Sequence, residues 1–284
     1  MRVHHLNCGT MRPIGGRLVD GRGGFLHRAE MVCHCLLLET GAGLVLIETG
    51  MGSPAAQRPD EWLGPRFLRT SKPVLDDRQT AVSRVKKLGF DVEDVQHIVL
   101  THLDLDHAGG LVDFPHATVH VYAEELRAFE QPRDKAERTR YRSVQFAHNP
   151  RWNSYRDLGE PWFGFTAVRE LAGLPPEILL IPLAGHTRGH AGVAVDTGDG
   201  WLLHAGDAYF FHGEVDPAKP HCPPGLAWFE ARMQTEKQPR LDNQRRLREL
   251  VREHGEEVTV FSSHNAVEFQ RLSHASMTAT NSST

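Results

Sequence analysis

The most constraining feature of this 284-residue chain is the run Thr101-His102-Leu103-Asp104-Leu105-Asp106-His107-Ala108-Gly109-Gly110. Four strong metal-ligand side chains, His102, Asp104, Asp106 and His107, fall within it. They follow directly on the apolar stretch 97–101 (HIVLT), which reads as a strand. His102 and Asp104 are two apart, so extended backbone points them to one side. Asp106 and His107 are adjacent and reach a second common point only where the chain turns. Gly109 and Gly110 allow such a turn to approach its neighbours closely.

Three further segments fit as distant partners, each following an apolar run. Gly185-His186-Thr187-Arg188-Gly189-His190 follows 178–183 (ILLIPL). His204-Ala205-Gly206-Asp207 follows 201–204 (WLLH). Ser263-His264-Asn265 follows 257–261 (EVTVF). Polar groups at successive strand ends converge on one rim of a sheet. The other histidines (His4, His5, His27, His34, His97, His116, His120, His148, His221, His254 and His274) have no ligand context and read as surface or satisfied core residues.

Composition narrows the partners. The formal net charge is −4, with acidic and basic residues interspersed. The expected partner is therefore a small-molecule substrate, not nucleic acid or an anionic membrane, with a homodimer left open. Residues 127–168 are rich in Arg and aromatics, but the overall charge speaks against a nucleic-acid site. Cys8, Cys33, Cys35 and Cys222 are too few for a disulfide framework. Cys33 and Cys35 flank His34 in an apolar run and read as small core residues on one face, away from His34. No stretch reaches the ~18 apolar residues of a membrane span. Met1 to Gly9 has no signal-peptide pattern, so a cytoplasmic enzyme is expected.

Residues 31–38 and 44–48 read as a buried hairpin, 78–88 as a helix with Ala81, Val82, Val85 and Leu88 on one face, and 118–122 as a strand. Residues 53–76, with four prolines, read as an irregular segment near the substrate mouth. Residues 127–168 read as a cap-like insertion. Strands at 178–183, 191–196, 201–204 and 257–261 and a helix at 240–254 complete one domain, 1–272. The polar tail 273–284 is expected to fray.

These motifs resemble the metallo-β-lactamase superfamily, whose first motif is His-x-His-x-Asp-His, and the match runs in motif order over roughly residues 30–265. The resemblance implies an αββα sandwich of two mixed sheets with a dinuclear site on one edge. It implies that His102, Asp104 and His186 bind a first metal, that Asp106, His107 and His264 bind a second, and that Asp207 bridges them. Asp104 stands where the family has its second His. That makes the first site richer in oxygen and adds iron or manganese to the expected zinc. His190 is implied to orient a ligand, not to bind metal. Leu46-Ile47-Glu48-Thr49-Gly50 resembles the family's Ile-Asp-Thr-Gly.

The stretch Asp106-His107-Ala-Gly-Gly and the segment from Gly185 to His190 are similar to N-acyl homoserine lactonases. Those enzymes place a Tyr three residues after the bridging Asp. Here that residue is Phe210 and Tyr209 lies one earlier, so Tyr209 is the candidate for the substrate carbonyl, with His212 as another polar group nearby. The expected reaction is hydrolysis of a lactone or related carboxylic ester by a hydroxide bridging two metals, with Asp106 orienting the nucleophile or shuttling a proton. The alternatives are an iron-dependent redox protein, a thioester or phosphodiester hydrolase, and a non-catalytic binding module.

Overall fold

The computed structural model describes residues 1–41, 43–156, 159, 161–167 and 171–281. Six strands form one sheet in sequence order: β1 (Arg2–Met11), β2 (Met31–Thr40), β3 (Gly43–Ile47), β4 (Val95–Val99), β5 (Thr118–Tyr122) and β6 (Arg151–Tyr155). The first three are antiparallel, and β3 through β6 run parallel. A small hairpin, β7 (Pro161–Trp162) and β8 (Phe165–Thr166), follows. The second sheet has the order β12 (Val258–Phe261), β11 (Trp201–His204), β10 (Ala191–Asp196) and β9 (Ile178–Pro182).

Side-chain alternation decides how the layers stack. Leu36, Leu38, Val45, Ile47 and Val99 of the first sheet face Ile178, Leu180, Val193, Val195 and Phe261 of the second. The opposite face of the first sheet, with Cys35, Leu37, Leu46 and Ile98, is covered by Ala81 and Val85 of the helix Ala81–Lys87 and Ala128 of the helix Ala123–Glu130. Leu247 and Leu250 of the helix Lys237–His254 cover Leu179, Ala194, Leu203 and Val258 on the outside of the second. This is the αββα arrangement expected from the motifs. The two sheets are tied at one corner, where His34 N–H donates to Ser263 O at 2.9 Å.

Several sequence expectations change. The segment 53–76 is not irregular. It folds as three short helices, Pro54–Gln57, Pro59–Trp62 and Pro65–Ser71, each opened by a proline whose missing N–H costs nothing in the first turn. The segment 127–168 is not wholly a cap, because β6 joins the main sheet beside β5. Its residues 157, 158, 160 and 168 lie outside the described residues. At the C-terminus, the helix Ala266–Asn281 continues past Ser273, where a frayed tail is expected. Its buried first turn, with Ala266 and Glu268, anchors it and lets it propagate. Residues 282–284 lie outside the described residues.

Candidate metal centre

The hexapeptide from His102 to His107 leaves β4 and turns at once, with the N–H groups of His107 and Ala108 both donating to Asp104 O at 3.0 Å. Gly109 makes the turn possible: a Cβ there would lie 2.5 Å from the carbonyl oxygens of Leu105 and Met51. Thr49 locks the turn from the end of β3, donating through its hydroxyl to His107 O at 2.6 Å and accepting from Gly110 N–H at 3.0 Å. His186 follows β9, Asp207 follows β11 and His264 follows β12, so one rim of the sandwich collects all four segments.

The collected atoms face one another. Asp207 Oδ1 lies 3.4 Å from His107 Nε2 and 3.2 Å from His264 Nε2. Its Oδ2 lies 3.3 Å from His186 Nε2 and 3.8 Å from His102 Nε2. Asp106 Oδ2 is 3.7 Å from His264 Nε2, and its Oδ1 is 4.0 Å from His107 Nε2. Two triads sharing Asp207 result: His102 with His186, and His107 with His264, each with its ligand atoms within 4.8 Å of one another.

Three of the imidazoles are aimed by their other nitrogen. His107 Nδ1 contacts Glu48 Oε2, and His264 Nδ1 donates to Val32 O at 2.7 Å, so both present Nε2 to the centre. Thr101 Oγ1 lies 2.9 Å from His102 Nδ1. Glu48 is held in left-handed backbone, φ 63°, and also accepts from Thr101 N–H at 2.6 Å. Strain of this kind in a non-glycine residue persists only where the surroundings over-determine it. His190 does not join the ligand atoms. Its Nδ1 donates to Leu183 O at 3.1 Å and its Nε2 accepts from the Asp207 backbone N–H at 2.9 Å, which positions the shared carboxylate's backbone.

Electrostatics argue for a cation here. Burial pushes the Asp207 carboxyl up, but His264, His107 and His186 outweigh it and hold it well below the usual carboxylate range. Burial pushes His107 down, yet the carboxylates of Asp207 and Glu48 hold it well above its ordinary value. Asp106 is raised, chiefly by burial. Asp207 Oδ1 and His102 Nε2 are buried without a hydrogen-bond partner, although both point into the cluster. Buried charge of this density with orphaned donors and acceptors fits a divalent ion. The His107–His264–Asp207 triad fits it, with Asp106 alongside at 3.7 Å from His264 and 4.0 Å from His107.

The His102–His186 side fits less well. Arg140, the last residue of the helix Lys135–Arg140, pairs with Asp104 through both oxygens at 2.6 Å, and its Nη2 lies 2.7 Å from His186 Nε2. Asp104, expected as a metal ligand, is thus held by a guanidinium, and burial is outweighed by Arg140 in keeping its carboxyl well below the ordinary value.

Tyr209 is a clear correction. It is fully buried in the outer core of the second sheet, and its hydroxyl donates to Glu268 Oε1 at 2.9 Å, so it faces away from the cluster. The chain after Asp207 turns so that Phe210 faces inward instead, stacked on His264 with ring centroids 5.3 Å apart and 18° between planes. His212 sits nearby and contacts Asn265 Nδ2 at 3.3 Å.

Sequence reasoning missed three residues: Arg140, Glu125 and, as a neighbour of the site, Cys33. Cys33 is the buried core residue expected of it, but its Sγ also lies within 4.8 Å of ligand atoms of Asp106 and His264.

Residues 28–251 match the family model of the metallo-beta-lactamase superfamily. The chain belongs to the metallo-β-lactamase superfamily. It is 38% identical over 265 residues to a probable metallo-hydrolase of Mycobacterium bovis, covering 93% of this chain and 80% of that protein. An N-acyl homoserine lactonase of a Bacillus species is 25% identical over 163 residues, 57% of this chain and 58% of the lactonase. Among solved structures, the AiiA enzyme of B. thuringiensis with N-decanoyl-L-homoserine bound at its active site superposes with a TM-score of 0.70, at 20% identity, over 95% of each chain. The dizinc quorum-quenching lactonase AidC superposes at 0.58, with 19% identity, over 92% of this chain and 86% of its own. As a metallo-β-lactamase superfamily member the chain is a metallo-hydrolase, and its rim cluster is the candidate metal site. No helix among the described residues is long and apolar enough to cross a membrane.

Proposed function

We propose that this metallo-hydrolase opens a lactone or cleaves a related carboxylic ester carrying an apolar group. The observation that carries the reading is the joining of the ligand cluster to an apolar cleft. A shallow cleft of ≈ 30 Å³, open to solvent, is lined by His264 together with Val19, Met31, Phe210, Phe211 and Leu226. Polar Asp20, Arg22 and Glu30 stand at the same cleft. The apolar walls suit an acyl or alkyl group that opens the cleft as it enters, with the ester end toward His264.

A divalent cation bound by this cluster supplies a water of lowered pKa and a Lewis acid for the carbonyl. The chain's own residues do the rest. Asp106, a carboxylate at the edge of the cluster 3.7 Å from His264, is placed to take the proton from the attacking water and to return it to the leaving alkoxide. Glu48 and Val32 O keep His107 and His264 in fixed tautomers. Phe210, stacked on His264, excludes bulk water from that side of the cluster. In this reading the walls are drawn from the segment before β2, the start of β2 and the segment after β11. An iron-based redox reading loses its motive, because Asp104, the residue behind it, is paired with Arg140.

The test is a panel of γ-lactones, N-acyl homoserine lactones of graded chain length, aryl esters, thioesters and phosphodiesters, run with zinc-replete protein. Turnover of a lactone or carboxylic ester that a chelator abolishes and zinc restores is expected. Turnover confined to phosphodiesters or thioesters, or oxygen uptake by iron-loaded protein, refutes it.

A further inference from the structure

We propose that the Arg140 guanidinium takes the place of the first metal, so that this protein holds a single divalent ion, among Asp106, His107, His264 and Asp207. The proposal rests on the metal-centre reading of the cluster but not on the substrate reading.

The geometry is specific. Arg140 Nε donates to Asp104 Oδ1 and Nη2 to Asp104 Oδ2, each at 2.6 Å, the two-pronged pairing that only a planar guanidinium makes. Nη2 also lies 2.7 Å from His186 Nε2, and because Arg only donates, that nitrogen must be the acceptor. Nη1 donates to Met233 O at 2.6 Å, at the end of the helix Pro224–Met233, where unpaired carbonyls favour a cation. The side chain is only 10% exposed and its charge cannot be titrated away.

A first metal would need the His186 Nε2 lone pair and an Asp104 oxygen. Arg140 takes the His186 Nε2 lone pair and donates to both Asp104 oxygens, of which Oδ2 also lies 3.1 Å from His186 Nε2 and 3.4 Å from His102 Nε2. Free of Arg140 are only His102 Nε2 and the Asp207 oxygen it faces at 3.8 Å, two donors where a stable site uses three or four. A metal there would also sit beside a permanent positive charge with little water between them. The second group has no such competitor. His107 and His264 present their Nε2 atoms to Asp207 Oδ1, which accepts no hydrogen bond, and Asp106 stands beside them, 3.7 Å from His264 Nε2 and 4.0 Å from His107 Nε2.

The same geometry explains the departure at position 104. A His there offers one nitrogen and cannot bind both prongs of a guanidinium, whereas an Asp can. Arg140 is in turn fixed by its helix. Asp134 caps it, and the buried Glu137 pairs with Arg188 of the segment that carries His186, Oε1 to Nε at 3.1 Å. The pairing therefore links the helix Lys135–Arg140 to two of the ligand segments.

The experiment counts metal. Protein stripped with chelator is reloaded with excess zinc, desalted and measured by elemental analysis, and crystals of the zinc form are measured at the zinc absorption edge. One equivalent is expected, with one anomalous peak among Asp106, His107, His264 and Asp207. Arg140→Met is expected to raise retained zinc twofold, to two equivalents. Two equivalents in the unaltered protein, or a peak between His102 and His186, overturns the proposal. One equivalent in a folded Arg140→Met variant also overturns it, because Arg140 is then not what excludes the second ion. If that variant does not fold, Arg140→Lys, which cannot span both Asp104 oxygens and His186, carries the same expectation. Protein that retains no zinc overturns this proposal and the metal-centre reading together. One equivalent without ester turnover supports this proposal and refutes only the substrate reading.

Discussion

Glu125 Oε2 accepts the Thr187 hydroxyl at 2.6 Å, which joins the segment bearing His186 to the helix Ala123–Glu130. The same carboxylate takes Gly189 N–H at 3.2 Å. Through Oε1 it takes Leu103 N–H at 2.9 Å and the Tyr141 hydroxyl at 3.1 Å. A fully buried side chain thus satisfies donors from both ligand segments. Glu125→Ala strands these donors, and each unsatisfied buried group costs about 1–3 kcal/mol. The expected outcome is a loss of at least about 2 kcal/mol in urea unfolding, with metal content reduced as the two segments separate. An unchanged midpoint would show that the clamp is dispensable.

Glu48 sets the tautomer of His107. One oxygen takes Thr101 N–H and the other faces His107 Nδ1. An amide in its place must turn an N–H toward one of those donors. In Glu48→Gln, either the Thr101 bond is lost or His107 is pushed to carry its proton on Nε2, the atom that faces Asp207. Positioning partners of this kind are worth roughly 10- to 100-fold in metal affinity. Competition with a coloured chelator is expected to show weakening in that range, with near-normal circular dichroism.

Glu268 gives a pH dependence with a definite sign. Burial pushes its carboxyl up to about 7, against 4.5 as its ordinary value, despite hydrogen bonds from Ser262 N–H and the Tyr209 hydroxyl. Between those values the folded protein holds a proton that the unfolded chain has lost. Stability from this group is therefore full below about 4.5 and falls as pH rises through about 7. Glu268→Gln removes the titration. The difference in unfolding free energy between the unaltered protein and Glu268→Gln is expected to change by roughly 3 kcal/mol from pH 4.5 to 7.5. Tyr209→Phe, which loses only the hydroxyl bond to Glu268, is expected to cost about 1 kcal/mol of stability and to leave turnover unchanged.

Gly109 is required by packing. A methyl group there meets the carbonyl oxygens of Leu105 and Met51 at 2.5 Å, and both belong to backbone that cannot swing aside. Gly109→Ala is expected to cost about 1–3 kcal/mol and to lower zinc retention, since the displaced turn carries Asp106 and His107. Differential scanning calorimetry with and without zinc separates the two effects.

Legibility followed locality. β5, β10 and β11 have the bounds read from the sequence, because short apolar runs beside turn residues leave little choice of register. β1 was not read, since RVHHLNCGTM carries few apolar residues and becomes a strand only by pairing with β2. β6, in an Arg- and aromatic-rich stretch, needed β5 as a template in the same way. At the site, the cluster from His102 to His107 was visible because its groups are neighbours in sequence. Arg140 was not, because one arginine in KAERTR has no spacing that distinguishes it from a solvated one. The choice between Tyr209 and Phe210 depended on the turn after Asp207, which no strand alternation dictates.

The ligand cluster draws on both layers of the sandwich: His102 and His107 follow a strand of one sheet, and His186, Asp207 and His264 follow strands of the other. A cation gripped there works as a rivet through the two layers. The sheets cannot part without releasing it, so a bound ion adds its binding free energy to the stability of the fold. The melting temperature then climbs with free ion concentration, by a free-energy increment of RT ln(1 + [ion]/Kd). Scarcity of the ion in the surroundings thereby sets how long the folded chain survives, as well as whether it turns over substrate.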